Sequence, residues 1–303
     1  MSTDTRQSSP VGTVAWTVIR DALDASVQRL LGADPLARVG DDPEGVHQAR
    51  VATRRLRCDL RTFGPLLDPA WVTPLRAELR WLGAELGVAR EAEVLLGHLR
   101  DHAHAAGSDI EGDARSLLTA ALDEHDAAQL RVLAALRTPR YLDLVDRLVQ
   151  GAMAPRLRPE GDAARRRDLG RLARRPWKHL AREYKALGSE PSDQALHALR
   201  IRAKRARYAV EAVAGAVGEE PSRKFAAALT QLQTVLGDHQ DAVVAQAWLH
   251  QRAGRPNVTR SSMRETYAAG VVAGLLFADA QAARNALPEA WRRASRPRLR
   301  SFL

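Results

Sequence analysis

Apolar residues recur at helical spacing along most of the chain, and no stretch alternates with period two over a useful length. Val14, Val18, Leu23, Val27, Leu30 and Leu31 form one stripe and predict a helix over 11–31. Gly, Pro and Asp punctuation over 32–45 predicts a loop. A helix follows over 44–67, broken by Asp68-Pro69. Leu75, Leu79, Leu82, Leu86, Leu95 and Leu99 predict a long helix over 70–104, with a kink or break near Gly87. An amphipathic helix over 110–137 and a short one opened by Thr138-Pro139 and reaching 149 close a first set. After a Pro- and Gly-broken stretch at 151–167 the pattern resumes, with helices over 169–187, 192–217, 222–253 and 260–286. The expected fold class is all-α, with eight main helices in two four-helix-bundle-like halves. The expected divisions are a disordered Ser/Thr-rich terminus at 1–10, one domain over 11–295 and a basic tail at 296–303. The two halves are 11–150 and 168–295, joined by a linker at 151–167.

Within this pattern one stretch occurs twice. HQARVATRRLRCDLR, from His47 to Arg61, returns 150 residues later as HALRIRAKRARYAVE, from His197 to Glu211. His47 matches His197, Arg50 matches Arg200, Arg54 matches Lys204, Arg55 matches Arg205 and Arg57 matches Arg207. At about 100° per residue, His47, Arg50, Arg54, Arg57 and Arg61 share one arc, with Ala49, Ala52, Leu56, Leu60 and Phe63 opposite. His197, Arg200, Lys204 and Arg207 repeat the arc, opposite Leu199, Ala203, Ala206, Val210 and Val213. Like charges at i,i+3 and i,i+4 cost a few tenths of a kcal/mol per pair. A solvated face normally mixes Glu with Lys. An all-cation face favouring Arg and made twice points to an anion, and guanidinium forks suit phosphate oxygens.

Charge adds segregation to that picture. The net charge is +10, which by itself suggests an anionic partner. Residues 47–61 and 197–211 carry +4 each, 155–182 carry +7 and 292–300 carry +5, so everything else sums to −10. Cys58 stands alone, which excludes an intramolecular disulfide and suits a reducing cytoplasm. No run of 18 apolar residues predicts a membrane span, and the first residues lack the pattern of a secretory signal.

The paired motifs VHQARVATRRLR and LHALRIRAKRARY resemble those of the CHAD family, the conserved histidine α-helical domains. LGVAREAEV (86–94) and LGDHQDAVV (236–244) look like that family's second repeated signature. The resemblance covers roughly 11–295. It implies two similar four-helix halves around a pseudo-two-fold axis, and inorganic polyphosphate bound in a basic channel or groove between them. It also implies a non-enzymatic protein, cytoplasmic and associated with polyphosphate granules.

The expected polyphosphate-binding residues are His47, Arg50, Arg54, Arg55, Arg57, Arg61, His197, Arg200, Lys204, Arg205 and Arg207, with Lys178 and Arg182 on the helix after Trp177. Arg90, His239, Arg292 and Arg293 are secondary candidates. The two histidines either donate to phosphate or orient an arginine. Arg50 and Arg200 beside them would repel a metal cation, so neither a metal nor a cofactor is expected. Glu91 and Asp241 occupy equivalent places in the second motif, where they would orient an arginine or cap a helix break, or else hold a metal. No phosphate-binding Gly-rich loop, zinc-ligand spacing or nucleophile elbow occurs. The alternatives are a nucleic-acid binder, which would want stacking aromatics on the arcs, and a polyphosphate-cleaving enzyme using Glu91 and Asp241.

Overall fold

The computed structural model describes residues 13–39, 43–253 and 260–303. Among these residues the chain is helical without a strand, apart from one isolated bridge between Leu67 and Leu157. The first half runs α1 (Val14–Val39), α2 (Pro43–Thr62), a 3-10 turn (Gly64–Leu66), α3 (Pro69–Ala105), α4 (Ser108–Asp113), α5 (Arg115–Leu136) and α6 (Pro139–Met153). Then follow α7 (Pro159–Asp162), α8 (Arg166–Lys185), α9 (Asp193–Ala212), α10 (Ala214–Val217), α11 (Glu219–Ala253), α12 (Arg260–Ala294) and a closing 3-10 turn (Pro297–Arg300). Helix α1 packs on α2 and α6, α2 on α3, and α3 on α5; α8 packs on α9, α9 on α11, and α11 on α12. The halves meet where α2 packs on α9 and α3 on α11.

Two apolar cores result. The larger joins Leu56, Leu60 and Phe63 of α2, Leu79 and Leu86 of α3, Leu199 and Val210 of α9, and Phe225 and Leu236 of α11. The smaller joins Leu95 and Leu99 of α3 to Leu249 of α11 and Leu276 of α12. Helices α3 and α11 therefore pass through both cores. The polar second motif, around Arg90-Glu91 and Gln240-Asp241, lies on each helix between its stretches of the two cores.

Several boundaries differ from the expectation. Helix α1 does not stop at Gly32 but continues through Pro35 to Val39. Ala33 and Ala37 are buried there, Arg38 pairs with Asp34 at 2.8 Å, and the Tyr141 hydroxyl donates to Asp34 at 2.6 Å. These contacts offset the hydrogen bond that Pro35 cannot make. A Cβ at Gly45 would come within 2.5 Å of the Ala37 backbone, so only glycine lets α2 approach α1 here. Helix α3 is unbroken at Gly87, because Leu82, Leu86 and Ala89 are buried on both sides of it. The helix expected over 110–137 instead divides at Ala114 into α4 and α5. Within the linker, Arg158 donates from Nε to the Leu67 carbonyl at 2.9 Å and from its backbone N–H to that of Leu66 at 3.0 Å. The basic tail also docks, with Phe302 edge-on to Phe225 and the Arg300 guanidinium over Trp177. The expected disorder at 1–10 lies outside the described residues.

Among the described residues α12 is the one helix long and apolar enough, by length and composition, to cross a membrane. It packs along α11, and its Arg264 and Arg284 are ion-paired with Asp113 and Asp193 of other helices. One side of it is buried through Ala268, Val272 and Leu276, while Tyr267, Leu275 and Phe277 are exposed.

Behind the basic face of α2, Asp59 is 1% exposed and accepts from the Ser26 hydroxyl at 2.7 Å. Burial pushes its carboxyl up to about 7, against the partial pull of the Ser26 hydrogen bond and Arg55. Its folded pKa thus lies above its unfolded value. The penalty for ionising it in the fold grows as pH rises from about 4 to about 7 and is constant beyond. Asp59→Asn should raise Tm by about 5 °C at pH 8 and by less than about 2 °C at pH 5, read by circular dichroism. Equal shifts at both pH values would contradict the protonation account.

Candidate functional site

The apolar stripes decide where the cations go. Ala49, Ala52, Leu56 and Leu60 of α2, and Leu199, Ala203, Ala206 and Val210 of α9, are each at most 2% exposed. With those faces fixed to the core, the opposite faces of both helices turn toward one another. His47, Arg50 and Arg54 from α2 and His197, Arg200, Lys204 and Arg207 from α9 line one cavity of about 440 Å³. Helix α3 contributes Arg90 and Glu91, and α11 contributes Gln240 and Asp241. Val94, Leu95 and Val244 bound it toward the smaller core, and Thr230, Gln233 and Thr234 supply further polar wall.

The carboxylates hold arginines without closing on them. Arg50 lies 3.7 Å from Glu91, and Arg200 lies 3.7 Å from Asp241, at positions 150 residues apart. Each acid thus lies beside an arginine of the basic helix on its own half. Burial lowers the Arg50 guanidinium below its ordinary value, as do Arg54, Arg200 and Arg90 around it. Burial, with Arg200, Arg54 and Arg50 alongside, pushes the Lys204 ammonium down to about 7, with Asp241 offsetting part of the shift. His47 is likewise lowered, first by burial and then by Arg90. Cations from both copies of the repeat therefore bear on the same groups.

Hydrogen bonding is incomplete in the same place. Arg54 Nε, Arg200 Nε, Arg207 Nε and His47 Nδ1 are buried without a hydrogen-bond partner. Leaving buried donors unmade typically costs about 1–3 kcal/mol each. His197 Nδ1 is 2.7 Å from Gln240 Oε1, which fixes its ring. The equivalent position in the first half is Arg90, which pairs with Glu93 instead. Among the described residues no group of three or more His, Cys, Asp or Glu could hold a metal ion.

Other expected residues lie elsewhere. Arg55 is on a different side of α2, paired with Glu211 at 2.7 Å beside a separate cleft with Arg29 and Arg166. Arg57, Arg61 and Arg205 are outside the cavity. Lys178 and Arg182 face a shallow basic groove on α8, together with Arg175 and His179. His239 is 2% exposed, with Nε2 3.2 Å from Asp193, and its pKa is lowered by burial and by Arg284. Arg292 and Arg293 both pair with Glu289 on α12. Cys58 is partly buried, and burial pushes its thiol up to about 11, leaving it protonated.

One contributor is absent from the sequence-based set. Tyr208 is 2% exposed, with Arg207 over its ring at 4.5 Å and Arg54 at 5.5 Å. It brings an arginine of each repeat to one aromatic ring. The polar run Thr230, Gln233 and Thr234, set between the buried Leu229, Leu232 and Leu236 at helical spacing, was the available signal for the α11 wall.

Comparison with known proteins places this geometry. The CHAD domain family model matches residues 21–250. Two uncharacterized proteins of Mycobacterium tuberculosis, Rv2226 and MT2285, are each 36% identical over 249 residues, covering 78% of this chain and 45% of their own. The chain thus spans less than half the length of these curated relatives. Among solved structures, PptA from Streptomyces chartreusis matches with a TM-score of 0.76 at 26% identity, over 91% of this chain and 98% of that one. The CHAD domain from the plant Ricinus communis matches with a TM-score of 0.69 at 25% identity, over 93% and 92%.

The depressed Lys204 gives a pH signature. A bound polyanion favours the ammonium and raises its pKa above the unbound value of about 7. The part of the tripolyphosphate affinity that depends on Lys204 should be constant below about pH 7 and fall, by up to about tenfold per unit, between the unbound and bound values. Calorimetry in buffers of different ionisation enthalpy should show proton uptake near pH 8. Lys204→Arg, charged throughout, should remove most of that uptake; undiminished uptake in the variant would contradict the assignment.

Proposed function

The chain belongs to the CHAD domain family, and we propose from that premise that it binds inorganic polyphosphate, without cleaving it, in the cavity between α2 and α9. CHAD domains are linked to polyphosphate. The observation that carries the reading for this chain is the convergence of two arginine-rich faces, from residues 150 apart, on one cavity with unpaired buried donors. Phosphate oxygens supply acceptors for those donors and charge for those cations at once. A chain of phosphates answers several cations in succession, which a single carboxylate or phosphate does not.

In this reading Arg50, Arg54, Arg200, Lys204 and Arg207 neutralise successive phosphates. Glu91 and Asp241 keep Arg50 and Arg200 pointed inward while leaving them free to accept a ligand. His197, held by Gln240, turns its other ring nitrogen to the ligand or to a neighbouring arginine. Granule association follows as the cellular role, with the protein a scaffold or targeting component in the cytoplasm. A nucleic acid would meet the same cations. The aromatic ring at this site, Tyr208, is however buried under Arg54 and Arg207 and is not offered to a base.

The reading is tested by titrating labelled long-chain polyphosphate in competition with DNA and RNA at matched salt. Polyphosphate should win, and its affinity should fall with salt as counterions are released. Arg50→Ala with Arg200→Ala should weaken it by at least about tenfold with helicity intact. Preference for nucleic acid, or unchanged affinity in the double variant, would reject the proposal. Incubation with polyphosphate and magnesium should release no free phosphate. Steady release above a Glu91→Ala control would instead indicate an enzyme.

A further inference from the structure

The two halves differ most where their basic helices leave the cavity. In the 150-residue register Arg61 corresponds to Glu211, Arg55 to Arg205, Arg76 to Ala226 and Arg80 to Thr230. On one side Glu211 takes Arg55 at 2.7 Å and Arg207 at 3.6 Å, and the Thr230 hydroxyl accepts from Arg207 at 3.4 Å. Arg55, the counterpart of Arg205, is there closely paired with the protein's own carboxylate.

On the other side the slot equivalent to that ion pair holds two arginines. Arg61 is near enough to Arg205 to act on its guanidinium, which is lowered first by burial and then by Arg61. Arg57 is lowered by burial and also by Arg61, Arg80 and Arg76. Arg76 is lowered by burial, Arg61 and Arg80. None of these five has a carboxylate partner among the described residues. Gly83 leaves room beside this cluster, since a Cβ there would come 3.0 Å from the Arg57 guanidinium and press on it. The equivalent residue in the second half is Gln233, whose amide donates to the Ala203 carbonyl and lines the cavity.

A solvated charged face does not account for this cluster well. Arg57, Arg76 and Arg205 are partly buried, while Arg20, Arg131, Arg140 and Arg223 are each paired with an acid. The acids Glu78 and Glu85 belong to the same helix as Arg76 and Arg80, yet they are engaged by α6 and α5. Five cations are thus gathered without an acid, one helical turn beyond Arg54 on the arc that enters the cavity.

We infer that Arg57, Arg61, Arg76, Arg80 and Arg205 form a second anion subsite outside the cavity, which takes the onward phosphates of a chain seated between Arg50 and Arg200. The subsite rests on the cavity reading and gives it a direction. A long chain leaves on the Arg61 side, while the Glu211 side is closed to it electrically. Short chains fill the cavity alone, and long ones gain the extra contacts and the counterions released there.

The test is Arg76→Ala with Arg80→Ala, titrated with tripolyphosphate and with long-chain polyphosphate. Long-chain affinity should fall about tenfold and its log–log salt slope should shrink by about 1.4, from two lost contacts on a flexible chain. Tripolyphosphate affinity should change less than about twofold, and Arg76→Lys with Arg80→Lys should retain most of the long-chain affinity. Unaltered long-chain affinity, or an equal loss for both lengths, overturns the subsite while leaving the cavity reading in place. A parent protein that binds neither length overturns both.

Discussion

Everything at this site depends on one steric fact: α2 and α9 cannot turn their arginines away from each other. Each helix is fixed to the core by an apolar stripe in which Leu56, Leu60, Leu199 and Val210 are at most 1% exposed. Burying one such side chain contributes about 1.5–3 kcal/mol, whereas a like-charge pair along a helix costs a few tenths. Packing therefore outweighs repulsion, and the cations are held where their neighbours depress them. The shifted Lys204 and the orphaned guanidinium nitrogens are consequences of that contest rather than separate devices.

The second consequence lies in the long helices. Helices α3 and α11 each serve two cores, and the motif between those cores cannot be apolar. It carries Arg90 and Glu91 in one helix and Gln240 and Asp241 in the other, which set the walls and aim Arg50 and Arg200. The matched 3.7 Å separations indicate that the acids do the same work in both halves. Divergence is confined to what surrounds them: Glu211 where the first half has Arg61, Tyr208 where it has Cys58, Gln233 where it has Gly83.

Much of this was legible in the sequence, for a definite reason. Helical periodicity is a local property, so the all-α class, the course of α2 and α9 and the composition of their faces could be read from spacing alone. The duplication then nominated His47, Arg50, Arg54, His197, Arg200, Lys204 and Arg207, and the fold brings these seven together. What could not be read depends on partners distant in the chain. Arg55 lies in the same motif but is claimed by Glu211, 156 residues away. Helix α1 survives Pro35 because Tyr141, 107 residues on, bonds to Asp34. His239 sits within a recognised motif yet is buried beside Asp193 and Arg284. Spacing says which face a residue occupies; only packing says what that face meets.

The most direct test of the central claim is a crystal structure of the protein with a short polyphosphate bound. The account predicts phosphates between the helices, within hydrogen-bonding reach of Arg50 of α2 and of Arg200 or Lys204 of α9 at the same time. Phosphates seated only on an outer surface, such as the groove at Lys178 and Arg182, with Arg50 and Arg200 closed onto Glu91 and Asp241, would contradict it.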